Sequence, residues 1–410
     1  MRSLPQLNRI RPILAVSVAL FALRAGAQPS MEERLQKLEG QVSALQTENA
    51  DLRKALGVDG RTGQTVVVPG GREPTLAIGG LVQAQGDFGE KGDSRFATAN
   101  DRFYLRRVRL NATGRFLEEF DFRVELDLSN SLAETAALRA QLTDAYINWN
   151  RYDFANLKFG QFKTPFGYEQ LYSDPKLLTI ERSLVNDRLT VGRQIGTQVS
   201  GDLLDKRLSY AAGVFNGTGV NTSANDNNQF MWVGRVAGTA WQGRVLDEDT
   251  RWSLGVNALT SKDTAAASQP TEFGFDVVPG GAKDNIFTGS RLGEGVDTQL
   301  HLGRLDLWAE YLRTRFRPTD QIPYATFASD GWDAQLSFFL VPKELQSVLK
   351  YDTFDPDLKV SANSTSTWTL GLNWFLKGDD LKVQLDYLRT HVDGQAAHDD
   401  KILVRIQTIF

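Results

Sequence analysis

The 410-residue chain has no cysteine and only three histidines. The first absence removes disulfide frameworks, thiolate metal sites and Cys nucleophiles together. The histidines, His301, His391 and His398, have no neighbours at metal-ligand spacing, so neither a metal nor a cofactor is expected. A Ser-His-Asp hydrolase would need His301 beside Ser253 or Ser337 on adjacent strands, and that single arrangement is set aside in favour of a chain that is not an enzyme. A basic excess is lacking too: 46 Lys+Arg stand against 50 Asp+Glu, which gives no footprint for nucleic acid. The apolar run Ile13 to Leu23 is about half of the roughly 20 residues a spanning helix needs.

That run is preceded by Arg2, Arg9 and Arg11 and followed by the small residues Ala25-Gly26-Ala27, so residues 1–27 read as a secretory signal peptide. Its removal takes away four arginines and no acid, leaving 42 basic against 50 acidic residues, a net charge of about -8. Residues 28–57 are expected to form a coiled coil. Met31, Leu35, Leu38, Val42, Leu45, Asn49, Leu52 and Leu56 step alternately by four and three, with polar residues between them. Asn49 sets the register and leaves the number of helices open, two or three. Residues 58–75 are a Gly-rich linker.

From residue 76 to 410 the pattern has period 2. Trp368, Leu370, Leu372, Trp374 and Leu376 alternate with Thr369, Gly371 and Asn373, and Phe120, Phe122, Val124 and Leu126 alternate with Asp121, Arg123 and Glu125. A soluble sandwich also alternates, but three features point to a membrane. The apolar faces end in aromatic residues such as Trp332, Trp368, Trp374 and Tyr387. Short turns alternate with long segments at 88–101, 129–140, 163–192 and onward, as in transmembrane barrels. The last strand ends on Phe410 with Ile402, Val404 and Ile406 at the same parity, and only Thr408 departs from that pattern. Sixteen strands are counted, so the fold class is all-β, a 16-stranded antiparallel transmembrane β-barrel preceded by a short N-terminal coiled-coil helix. A barrel of that size encloses water.

The segment 163–192 breaks the pattern. It holds Pro165, Gly167 and Pro175, yet keeps Phe166, Tyr168, Leu177, Ile180, Leu184 and Val185, too apolar for a solvated tail. It is expected to fold inward and narrow the lumen, with Lys163, Lys176, Arg182, Arg188 and Arg193 as constriction-loop cations against four acids. Strand parity places Arg107, Arg109, Arg115, Arg123 and Lys158 toward the lumen, a candidate anion path in which cations replace part of an anion's water shell. The same faces carry Asp121, Glu125, Asp127 and Asp144, so a water-filled pore lined by balanced charge is the competing reading.

The stretches RVRLNATGRFLEEFDFRVELD, LTDAYINW, LKFGQFKTPFGYE and GVFNGTG, in this order, resemble the phosphate-selective porin O and P family of the Gram-negative outer membrane. The resemblance covers the barrel. It implies an outer-membrane porin for small hydrophilic solutes and ions, anions such as phosphate among them, a homotrimer with one pore per subunit, lipid around it, and the third long loop as constriction. The alternative of another class is a structural protein that tethers the outer membrane to the cell wall through its coiled coil.

Overall fold

The computed structural model describes residues 65–67, 75–93, 95–96, 101–129, 140–264, 287–319 and 325–410. The chain divides into two compact units, Met1–Leu52 and Arg53–Phe410, and the described residues all belong to the second. The expected signal peptide 1–27 and coiled coil 28–57 lie outside them.

Among the described residues, seventeen strands form one sheet. They are β1 (Thr65–Val67), β2 (Thr75–Gly89), β3 (Arg102–Phe116), β4 (Phe120–Asp127), β5 (Gln141–Tyr152), β6 (Ala155–Lys163), β7 (Arg193–Leu203), β8 (Leu208–Phe215), β9 (Met231–Val245), β10 (Glu248–Asp263), β11 (Gly289–Leu302), β12 (Leu305–Pro318), β13 (Phe327–Val341), β14 (Leu345–Asp355), β15 (Thr365–Lys377), β16 (Leu381–Val392) and β17 (His398–Ile409). From β2 to β17 each strand pairs antiparallel with the next, and β17 pairs back onto β2, so these sixteen close a barrel with no free edge. Phe410 completes the seam: its backbone exchanges hydrogen bonds of 2.7 and 3.1 Å with Gly80. Strand β1 falls in the linker, where the sequence pattern predicts none. It pairs with Leu76 to Ile78, the part of β2 that β17 leaves uncovered.

The barrel is inside out relative to a soluble protein. On β15, Trp368, Leu370 and Trp374 are each more than half exposed, while Thr367, Thr369 and Asn373 are buried. That arrangement excludes the sandwich, in which apolar side chains would be covered. Trp368 and Trp374 stand roughly 20 Å apart along the strand, matching the aromatic girdles that border an outer-membrane apolar band. Trp368, Tyr351 and Trp332 make a row across three strands, with ring centroids 4.7 and 5.1 Å apart. The tight turns use left-handed backbone, as at Leu117-Glu118 and Leu246-Asp247, which suits the twist of two-residue hairpins.

Two bulges re-aim side chains toward the lumen. The β2–β3 register slips between Gln83 and Ala84, leaving Arg106 unopposed. The β4–β5 register slips between Glu125 and Leu126, leaving Thr143 unopposed.

Candidate functional site

Residues 164–192 leave β6 and return to β7 as short elements: α1 (Tyr168–Leu171), a 3-10 turn (Asp174–Lys176) and α2 (Leu184–Leu189). Entry turns at Gly167 with φ of 84°, where an added Cβ would lie 2.7 Å from Thr190 Cγ2. Ser183 caps α2, its hydroxyl accepting from Asn186 N at 3.2 Å. Helices this short satisfy few of their own backbone groups, and inward-facing barrel side chains take up others. Ile180 N donates to Asp386 at 2.6 Å, Leu184 N to Asp352 at 2.8 Å and Glu169 N to Glu310 at 3.2 Å. From the barrel side, Asn373 donates to Leu178 O at 2.8 Å and Gln407 to Pro175 O at 3.0 Å. Phe166, Leu184, Val185 and Leu189 add an apolar contact with Leu259, Leu312 and Phe354. The segment therefore lies against the inner wall formed by β10 to β17.

Two of its four acids, Asp174 and Glu181, are spent on arginines. The bulge turns Arg106 inward beside Arg107. Arg106 makes a bidentate pair with Glu181 at 2.8 and 2.9 Å, and Arg405 reaches the same carboxylate at 2.7 Å. Asp174 accepts from Arg109 at 2.5 Å and Arg182 at 2.6 Å, with Arg107 at 3.4 Å. Arg109 also holds Asp127 at 2.9 Å, and Arg107 donates to Gln83 at 2.8 Å. Burial pushes the Asp174 carboxyl up, but Arg107, Arg182 and Arg109 outweigh it and hold the group well below the usual carboxylate range. For Glu181 burial is likewise overcome, by Arg106 and Arg405, and the group is held low. These pairs are desolvated, and such pairs are expensive to break rather than free to bind a passing ion.

The remaining sequence candidates divide. Arg115 is exposed at the short-turn end, 3.3 Å from Asp121, and does not join Arg107 and Arg109. Arg123 pairs with Glu125 and lies 3.5 Å from Asp144, while Arg193 bonds Asp144 at 2.8 Å. Arg188 is buried. Lys176 is exposed. Lys163 donates to two loop carbonyls, Gln170 O at 2.7 Å and Tyr172 O at 3.1 Å. Lys158 has no ion pair or side-chain hydrogen bond among the described residues; its ammonium lies over the rings of Tyr146 at 4.6 Å and Phe162 at 5.2 Å. Lys158 and Lys163 line an open cavity of about 480 Å³ on the β5–β9 side, with Asp144, Gln198 and Arg235. Arg235 is bound bidentate by Asp297 at 2.5 and 2.8 Å.

Sequence parity therefore selects the lumen cations but not their state of pairing, and it misses Arg106. A signal is present nonetheless. An arginine at that depth on the lipid side costs about 2–4 kcal/mol, so two consecutive arginines in a spanning strand imply a bulge. The sequence shows the partners Asp174 and Glu181 as charges in the loop and assigns them to no arginine.

The family described as "Phosphate-selective porin O and P" matches residues 80–410. Porin O of Pseudomonas aeruginosa is 23% identical over 401 residues, covering 83% of this chain and 89% of that protein. Among solved structures, an anion-selective porin from Comamonas acidovorans shares 13% identity with a TM-score of 0.57, over 82% of this chain and all of that one. The trimer form of OmpT from Vibrio cholerae shares 10% identity with a TM-score of 0.54, over 83% of this chain and all of that one. At such identities the structures speak for the fold alone, a porin barrel. With the family match over most of the chain, the closed barrel, its lipid-type exterior and its polar interior, this chain belongs to the phosphate-selective porin O and P family and is a non-enzymatic porin channel of the outer membrane.

Proposed function

We propose that this porin is an anion-preferring homotrimer in which residues 163–192 form the constriction and solutes pass along the β5–β9 side of each lumen. The observation that carries the reading is the contrast in pairing. Arg106, Arg107, Arg109, Arg182 and Arg405 are consumed in binding the loop, whereas Lys158 faces the open cavity with no ion pair among the described residues. An unpaired ammonium in a low-dielectric lumen wall raises the local concentration of anions and lowers the barrier to their entry. The anion path is thus moved from the arginine column to Lys158 and Lys163, with Lys176 exposed on the loop itself. The trimer form of OmpT and the name of the Comamonas porin favour the assembly and the preference. From the sequence, residues 1–27 direct export and residues 28–57 supply a coiled coil. The cell-wall tether would rest on residues 28–57, which lie outside the described residues.

The test is the zero-current potential of the purified full-length protein in a planar bilayer across a KCl gradient. An anion-selective potential supports the reading, and a zero or cation-selective potential refutes it. Deleting residues 166–188 should raise single-channel conductance; an unchanged conductance would place the constriction elsewhere.

A further inference from the structure

We infer that the Lys158 cavity takes small organic monoanions with a flat apolar body, of the aryl carboxylate class, in preference to inorganic phosphate. The inference rests on the anion reading of the same site and deepens it.

The cationic supply is small. A compact phosphate is recognised by several donors converging on its oxygens. Here Lys163 has committed two donor directions to Gln170 O and Tyr172 O, and Arg235 is neutralised by Asp297. Arg193 is matched by Asp144. Among the described residues of the lining, Lys158 is the cation with neither an ion pair nor a side-chain hydrogen bond, which suits a single negative charge rather than a dianion.

Part of the wall is apolar, while Asn156, Gln198, Ser200, Asp202 and Ser209 make another part polar. Tyr146 and Phe162 meet edge to face with centroids 6.0 Å apart, and Pro165 and Leu171 face the same space from the loop. Phosphate oxygens set against these groups would lose water without gaining a donor. A ring in their place would gain dispersion and apolar contact while its carboxylate stays at Lys158. The cavity volume of about 480 Å³ lies in the range of small-molecule sites and accommodates one such anion with water. The same ammonium over two ring faces fixes the charge at the edge of the apolar patch, so charge and ring are recognised side by side.

The experiment titrates chloride current through the full-length protein in planar bilayers with sodium benzoate, and separately with inorganic phosphate. Benzoate is expected to reduce the chloride current at about tenfold lower concentration than phosphate. Lys158→Gln should abolish the benzoate effect. Leu171→Asn, which removes apolar surface from the cavity, should weaken the benzoate effect more than the phosphate effect. Phosphate acting as well as benzoate, or benzoate acting equally on Lys158→Gln, overturns the inference while the anion reading stands on its potential. A wild-type channel without anion selectivity overturns both.

Discussion

The two sides of the lumen carry the same residue types and use them oppositely. Toward β12–β17 and β3, cations are buried and paired: Lys350 with Glu169 at 3.3 Å, Arg405 with Glu181 at 2.7 Å and Arg109 with Asp174 at 2.5 Å. Toward β5–β9 Lys158 stands half-buried over two aromatic rings with no ion pair among the described residues. A column of basic residues is therefore not in itself an ion path. What matters is whether a loop acid has already occupied it. On the first side charge holds a loop in place; on the second, where Arg193 and Arg235 are paired as well, the Lys158 ammonium remains available to solute.

The largest way to break this contrast is to remove a loop acid. Asp174→Ala strands Arg107, Arg109 and Arg182 around one empty position, and loss of a buried partner costs about 3–5 kcal/mol. The loop should detach locally while the barrel stays folded. Proteolysis within residues 164–192 and increased current noise are the readouts; a protease-resistant loop with quiet current would mean that the arginines are not its anchor.

A smaller change sharpens the other side. Lys158→Gln removes charge without leaving a partner behind, so thermal unfolding should be unaltered. The chloride-to-potassium permeability ratio should fall about two- to fivefold. If Arg107→Gln lowers that ratio more than Lys158→Gln does, with the loop still protease-resistant, the assignment of roles to the two sides is reversed.

Much of the barrel is legible in the amino-acid sequence. Period 2 determines which side chains face the lipid, because one slip exchanges the faces completely, and the sixteen strands expected between residues 76 and 410 correspond in number to β2 to β17. The count of sixteen follows from turn spacing. Less visible is anything that breaks the period. Arg106 turns inward only because the register slips opposite Gln83 and Ala84. Pairing between distant residues is hidden as well: Arg109 and Asp174 are 65 positions apart, and Arg405 and Glu181 are 224. Such partners depend on where the loop lies against the wall, and that position is set by scattered hydrogen bonds to Asp352, Asp386 and Asn373 rather than by any local motif. Parity alone selects Lys158, as one cation among several. Its lack of a partner is a property of the folded lumen.

The smallest effect belongs to Arg115, the one member of the arginine column that joins neither side. Its guanidinium is about half exposed at the short-turn end, 3.3 Å from a partly exposed Asp121. Water screens such a pair, and exposed ion pairs contribute within about 1 kcal/mol. Arg115→Gln should therefore leave loop protection and thermal unfolding as they are, and change the zero-current potential far less than Lys158→Gln. A shift equal to that of Lys158→Gln would mean that anions are selected at the periplasmic mouth of the barrel. The contrast between a packed and an open side of the lumen would then describe how the loop is held, without describing how the solute is chosen.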